Sequence, residues 1–398
     1  MRIIFVSWWW PYPTDNGSKI RIYNLLRQLA VTHEVTLLSF AEANEATPEQ
    51  VAHLRSFCRE VVSVDKPLYQ PTSVQATLGY FSRWPRSLMD TYSEQMAQHV
   101  QQAAENADMI IVSQMQTLRY LDSAPQLPAI LEEIELTGFF ENVEQASRSS
   151  ARLRRQLTLV KMAHILRKLM QRGVAITVVS EKEREYLRRF APLGARIEVI
   201  PNGVDTQAIH PDDTAPTPNT LIYPGAVTYS ANYNAVAYFI REVLPLIRER
   251  VPNVCFSVTG STGKVDVSDL AAQPGVIFTG YLPEVVPLIR STWATVVPLL
   301  DGGGTRLKVL ESMALGTPVI STHKGAEGLN VHPGEDILLA DKPQEMADAI
   351  CAVLGAESLR ARLSRGARAR VENEYDWTII GRRLVELAED RARAVTHG

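Results

Sequence analysis

Short apolar runs of strand length, each trailed by a longer segment of helical period, recur along this 398-residue chain in two series on either side of one proline-rich stretch. A strand that is apolar throughout has no face for water, so such a series folds as a parallel sheet covered by helices. The first series predicts strands at 2–7, 34–40, 61–64, 109–113, 129–134, 174–180 and 196–200. The second predicts them at 220–223, 255–259, 276–279, 294–298, 318–321 and 337–340. Between the series, Pro201, Pro211, Pro216 and Pro218 stand among Asp, Asn and Thr, the composition of a linker. One hydrophobic core rarely grows beyond about 250–300 residues. The expected organisation is therefore α/β with two doubly wound units, at 1–200 and 219–376, joined by a linker at 201–218. A last helix over 377–398 has no strand of its own and is expected to return to the first unit. Open sheets of this kind bind ligands beyond the carboxyl ends of their strands.

The composition narrows the class further. Apolar residues make up 45% of the chain and charged residues 21%, which excludes a largely disordered polymer. With 41 basic against 44 acidic residues, nothing in the balance points to nucleic acid. Cys58, Cys255 and Cys351 are far apart and form no Cys-x-x-Cys pair, so neither a disulfide framework nor a zinc site is expected and a reducing cytoplasm fits. The opening apolar run has the length of a strand rather than of a signal peptide. No run of about 18 apolar residues predicts a membrane-spanning helix.

The stretch from Ala294 to Ile320 is the most informative. It reads as a strand, then Asp301 and the glycines Gly302, Gly303 and Gly304, then a helix over about 305–315, then Gly316 and another strand. Glycines let a backbone approach a ligand closely, and the free amides at a helix start suit a phosphate. Arg306 and Lys308 add cations at an end where a simple helix start favours acids, and that surplus points to a diphosphate. Glu311, one to two turns on, is placed to accept hydrogen bonds from vicinal hydroxyls such as a ribose carries. The plainer alternative is a tight turn with both cations solvated and Glu311 in a surface pair.

This segment resembles glycosyltransferase family four, whose second domain carries Glu-x7-Glu in the setting E-G-F-G-x-x-x-x-E-A-M-A-x-G-x-P-V. Glu311, Met313, Ala314, Gly316, Pro318 and Val319 match it, and Asn202-Gly203-Val204-Asp205 matches the family's linker signature. Gly225, Gly260 and Gly280 match glycines at the ends of the second domain's strands. The resemblance implies the GT-B fold, two Rossmann-like domains facing a cleft. It also implies retaining transfer of a sugar from a nucleotide sugar, a UDP-sugar by family habit, to a glycan or lipid-linked acceptor. The implied donor site is Gly17, Gly225, Gly280, Tyr281, Leu282, Gly302, Gly303, Gly304, Thr305, Arg306, Leu307 and Glu311.

The departures from the family pattern are specific. The first Glu of the motif falls at Gly303, so Asp301, two residues away, is the expected substitute. The family's diphosphate-gripping Arg and Lys fall near Ala226 and Ala231, so Arg306 and Lys308 are expected to replace them. Arg306, Lys308 and Asp301 are thus the expected catalytic groups. The Gly-Gly-Gly-Thr-Arg-Leu-Lys variant resembles a subgroup of bacterial exopolysaccharide sugar transferases, which implies a place in polysaccharide biosynthesis. No Asp-x-Asp follows an apolar strand, so no metal is expected, and no cofactor beyond the donor.

In the first unit, Trp8, Trp9, Trp10 and Tyr12 stand where the first strand ends, as aromatic faces for a sugar or as core. Gly17 opens an amphipathic helix bearing Ile20, Tyr23, Leu26, Leu29 and Ala30, with Asp15 or Asn16 as cap. Arg21 on this helix either faces an anionic acceptor or is solvated. Glu132, Glu133 and Glu135 end the fifth strand, while Ser113-Gln114-Met115 replaces a His that family members often carry. Trp9, Trp10, Arg21, Glu133 and Glu135 make up the expected acceptor side. Residues 148–172 hold Arg148, Arg152, Arg154, Arg155, Lys161, Arg167, Lys168 and Arg172 without an acid, interleaved with Leu153, Leu157, Val160, Leu166 and Leu169. That pattern is either a peripheral contact on the inner face of a membrane or a solvated helix face over a buried stripe. Rival functions are a sugar-nucleotide 2-epimerase, whose carboxylate pair and His are not visible, and a catalytically inactive nucleotide-sugar binder, which Gly303 keeps open. A nicotinamide oxidoreductase lacks its Gly-x-Gly-x-x-Gly.

Overall fold

The computed structural model describes residues 1–136, 149–302 and 306–396. The chain divides into two compact units, one of Met1–Pro201 with the chain from Ile380 on, the other of Asn202–Ile379. In the first, β1 (Arg2–Ser7), β2 (Glu34–Ala41), β3 (Glu60–Asp65), β4 (Met109–Ser113), β5 (Ala129–Glu132), β6 (Ala175–Val178) and β7 (Ile197–Val199) form a parallel sheet in the order β3-β2-β1-β4-β5-β6-β7. In the second, β8 (Thr217–Pro224), β9 (Cys255–Thr259), β10 (Val276–Gly280), β11 (Thr292–Val297), β12 (Val319–Ser321) and β13 (Leu338–Leu339) form a parallel sheet in the order β10-β9-β8-β11-β12-β13. Each sheet reverses its direction of growth once, between β1 and β4 and between β8 and β11. Those reversals are the switch points where doubly wound sheets bind ligands.

Burial explains why the strands read as apolar runs. All five residues of β4 and all but the first of β1 are buried, so neither face of these strands meets solvent. β8 starts at Thr217, inside the stretch expected to be linker, because Thr217 is already in register with Thr292 of β11. The Trp377–Thr396 helix begins in the second unit, where Trp377 N donates to Val204 O at 3.2 Å. Its Gly381 lies against Gln28 in the first unit, where no methyl group would fit.

The first sheet's register sets a polar row at its carboxyl edge. Ser39 pairs with Ser7, Ser7 with Ser113, and Ser113 with Glu132, and all four side chains are fully buried. Glu132 is satisfied there by Ser113 Oγ at 2.8 Å and by Arg21, whose Nε donates to Oε1 at 2.7 Å. Arg21 also gives Nη1 to Pro201 O at 3.0 Å and Nη2 to Ile200 O at 2.9 Å. Neither side chain of the ion pair touches solvent. Arg21 is therefore not on the acceptor side, and it is not solvated. Its inward turn also rotates the Gly17–Ala30 helix, which buries Ile22, Leu25, Leu26 and Leu29 rather than the stripe through Ile20 and Tyr23. Asn16 is the cap, its side chain accepting from Lys19 N at 3.1 Å.

Removing one member of a buried ion pair leaves the other charged and unpartnered, at a cost of about 3–5 kcal/mol. Arg21→Met is expected to destabilise the first unit on that scale in urea unfolding. Adding Glu132→Leu should recover most of the loss.

Candidate functional site

At the second sheet's switch point, β8 ends at Pro224 and the chain turns through Gly225 at φ +154°, which side chains rarely adopt. A Cβ on Gly225 would stand 2.7 Å from the Nζ of Lys308. Lys308 belongs to the first turn of the Leu307–Ala314 helix, which follows β11. Its ammonium donates to Tyr223 Oη at 2.7 Å and Asn232 Oδ1 at 3.2 Å, and lies 3.9 Å from the Tyr223 ring centroid. Tyr223 donates to Asn232 Oδ1 at 2.6 Å, and Asn232 Nδ2 donates to Ala226 O at 2.8 Å, which closes the turn. Lys308 thus places its charge inside the 225–232 turn, where Ala226 and Ala231 stand in place of the cations that the resemblance implies. The contribution of Tyr223 and Asn232 is not foreseen from sequence. The one signal for them is a tyrosine that follows Leu221 and Ile222 at the carboxyl end of the strand.

Burial, with Arg306 adding to it, lowers the Lys308 ammonium to about 7, against the pull of Glu311. Burial likewise raises the half-buried Glu311 carboxyl to about 7, against the pull of Lys308. Arg306 is buried, and its Nη2 donates to Gly302 O at 2.8 Å and Lys324 O at 3.2 Å. That clasp holds Arg306 out of helical geometry, at φ −86° and ψ 66°, so the helix begins at Leu307 and not near 305. Gly302 has φ +90°, and a Cβ on it would meet Ala231 Cβ at 3.0 Å and Tyr229 Oη at 3.3 Å. Asp301 is exposed, with Asn234 Nδ2 at 3.4 Å from its Oδ2. The structure thus brings Asp301, Gly302, Arg306 and Lys308 onto the loop and helix that follow β11. Gly303, Gly304 and Thr305 lie outside the described residues, as does Arg148. Gly280 ends β10, with β9 between it and β8; beyond it Tyr281 is exposed and Leu282 half-buried.

In the first unit Gly17 is the first residue of its helix. Trp9 is half-buried with Lys66 Nζ 3.4 Å over its ring, but Trp10 is fully buried in the core and so is no sugar platform. Glu135 is exposed. Glu133 and Gln114 both have positive φ, +57° and +72°, and Gln114 Nε2 donates to Glu133 Oε2 at 3.0 Å. Burial lifts the Glu133 carboxyl to about 7; Arg21 opposes the shift and Glu132 adds to it. Gln114, a residue at the position of the missing His, is the partner that sequence alone does not single out. Paired positive φ at non-glycine residues stores strain, a recurrent mark of functional sites.

Two α/β units of this topology are those of the GT-B fold, and known proteins agree. The Glycosyl transferases group 1 model matches residues 218–356, and the Glycosyltransferase Family 4 model matches residues 138–208. The chain is thus similar to glycosyltransferases of these two models over the residues matched. It is 25% identical over 251 residues to the phosphatidyl-myo-inositol mannosyltransferase of Mycobacterium leprae, covering 59% of this chain and 64% of that one. It is 30% identical over 210 residues to the D-inositol 3-phosphate glycosyltransferase of Acidothermus cellulolyticus, covering 47% and 46%. The chain therefore spans less than two thirds of these relatives' lengths. In fold it is similar to sucrose-phosphate synthase from Thermosynechococcus elongatus, with a TM-score of 0.70, 18% identity, and coverage of 99% of this chain and 100% of that one. It is also similar to HepE of Anabaena in complex with UDP, with a TM-score of 0.68, 14% identity, and coverage of 98% and 100%. The GT-B fold expected from the resemblance is the fold observed.

The Lys308 and Glu311 shifts give the ligand-free protein a distinctive pH dependence. From about 4.5 to 7 the folded state holds the Glu311 proton that the unfolded state releases, so stability falls as pH rises. From about 7 to 10.5 the folded state lacks the Lys308 proton that the unfolded state keeps, so stability recovers. A minimum near neutrality is expected in thermal unfolding. Lys308→Met should remove the alkaline limb and raise ligand-free stability at pH 7 by about 1–2 kcal/mol.

Proposed function

We propose that this chain transfers a sugar, with retention of anomeric configuration and without a metal, from a nucleoside diphosphate sugar to a glycan or lipid-linked acceptor in polysaccharide assembly. A UDP-sugar is the first choice of donor. The observation that carries this reading is the Lys308 ammonium, half-buried at the switch point and hydrogen-bonded to neutral oxygens. Among the described residues no carboxylate hydrogen-bonds it. A desolvated cation with neutral neighbours is suited to an incoming anion. HepE, similar in fold, binds UDP and UDP-glucose. A Mycolicibacterium smegmatis relative is named a GDP-mannose-dependent mannosyltransferase acting on a phosphatidylinositol monomannoside, which supports a lipid acceptor and adds GDP-mannose as a donor to test.

In the proposed reaction the bond from the sugar C1 to the β-phosphate oxygen breaks, and charge grows on the diphosphate. Lys308 and the amides opening the Leu307–Ala314 helix stabilise that charge from fixed positions. The acceptor oxygen bonds to C1 on the same face and its proton passes to the departing phosphate, so no protein nucleophile is needed. Glu311 accepts from the ribose hydroxyls. Arg306 acts at the same end, fixing the Gly302 and Lys324 carbonyls so that Asp301 is carried towards the sugar. Half-buried Trp9, exposed Glu135, and Glu133, poised to titrate, are the acceptor-side groups that remain. The expected location is the cytoplasm, at the inner face of the membrane.

Incubation with a panel of nucleotide sugars, with and without crude glycan and lipid acceptors, tests the reading. The expected outcome is acceptor-dependent release of free nucleoside diphosphate, a product of retained configuration by NMR, and a rate unchanged by chelators. Arg306→Ala is expected to lower turnover about 100-fold with folding preserved. Conversion of the donor to its epimer without acceptor would instead show an epimerase, and tight binding without turnover an inactive binder.

A further inference from the structure

The first sheet's switch point falls between β1 and β4, and the residue that leaves β4 there is Gln114. Its backbone stands at φ +72° and ψ 162°, a region almost reserved for glycine. A glycine would stand there unstrained, so a glutamine in its place has a task for its side chain. That side chain donates from Nε2 to Glu133 Oε2 at 3.0 Å. Its Oε1 is buried and, among the described residues, has no hydrogen-bond partner. An unsatisfied buried acceptor is costly, and a ligand hydroxyl at a switch point would satisfy it.

Glu133 directly follows β5, the neighbour of β4. Its N–H donates to Thr177 Oγ1 of β6 at 3.0 Å, which holds it at φ +57°. Burial lifts its carboxyl to about 7; Arg21 on the Gly17–Ala30 helix opposes the shift, Glu132 adds to it, the bond from Gln114 opposes it and Glu135 adds to it. Arg21 is committed to Glu132 and to the carbonyls of Ile200 and Pro201. The switch point therefore presents two hydrogen-bond acceptors side by side, an amide oxygen and a carboxylate. Such a pair repels an anion and suits a group that only donates, and two neighbouring hydroxyls of a sugar ring donate side by side. We propose that Gln114 and Glu133 form a clamp that accepts hydrogen bonds from two neighbouring hydroxyls of a neutral sugar, the acceptor glycan, with Glu133 ionised. Calling the occupant the acceptor rests on the transfer reading; the clamp itself does not. Gln114 both touches the sugar and positions the Glu133 carboxylate.

Carboxyl-carbon NMR of the full chain, labelled at glutamate, tests the clamp with methyl α-mannoside, methyl α-glucoside and methyl α-galactoside as probes. In the free protein Glu133 is expected to titrate near 7. A probe at about 0.1 M, enough to fill even a millimolar site, should move the Glu133 resonance and carry its midpoint to lower pH, because donated hydrogen bonds favour the charged form. Binding should weaken about tenfold from about pH 7.5 to 6, as the carboxylate takes up its proton. Glu133→Gln should remove that pH dependence. Gln114→Leu should lift the Glu133 midpoint and weaken binding about tenfold. Gln114→Gly should weaken binding as much yet keep or raise the thermal midpoint, since it relieves the backbone, whereas a purely structural residue would lose stability. Failure of all three probes to move the Glu133 resonance would overturn the proposal, as would binding that Gln114→Leu leaves intact or that is equally strong at both pH values. Clamped probes in a protein that releases no nucleoside diphosphate from any donor would support the clamp while overturning the transfer reading.

Discussion

An ammonium held by neutral oxygens is the constraint around which the second unit's site is arranged. Lys308 reaches Tyr223 and Asn232, which bond to each other, and Gly225 must lack a side chain for the ammonium to fit. Each of these groups is already fixed by something else. Tyr223 is locked in β8, Asn232 is tied to the Ala226 carbonyl, and the helix carrying Lys308 starts where Arg306 grips two carbonyls. A charge so placed does not have to reorganise when an anion arrives, which is how a preorganised site lowers a barrier. The same desolvation lowers its proton affinity and strains the empty protein, a familiar exchange of stability for function.

The first unit solves a different problem with the same topology. Its switch-point edge carries a fully buried row of three serines and a glutamate, and a buried carboxylate is tolerated only with a partner. Arg21 supplies that partner and spends its remaining donors on the carbonyls of Ile200 and Pro201, where the chain leaves the unit. Next to this satisfied network stands Glu133, strained in backbone, bonded to Gln114 and titrating near neutrality. One carboxylate is locked for structure and its neighbour is left poised.

Most of the fold was legible because parallel strands buried on both faces leave apolar runs that no other arrangement requires. All thirteen expected strands form, with ends displaced by a few residues where a cap or a pairing partner decides the boundary. The inward turn of Arg21 has no local signal, because a helical pattern shows which face a residue is on but not that a glutamate 111 positions away will draw it inward. Three successive tryptophans at a strand end cannot all face one way, and sequence does not say that Trp10 is the one fully turned in. For the site, the cations at 306 and 308 were visible as charges where a helix start favours acids. Their division of labour was not, because Lys308 meets residues 76 and 85 positions distant and Arg306 meets main-chain carbonyls, which have no signature in a sequence.

The central claim is that Lys308 is a desolvated cation awaiting a diphosphate. Observing its side-chain nitrogen by NMR, free and with UDP, addresses that claim directly. The account predicts titration near 7 in the free protein and a rise of roughly two units or more on binding, as the diphosphate replaces lost solvation. Titration of the free group at the ordinary lysine value, or a titration that bound UDP leaves unmoved, would contradict it.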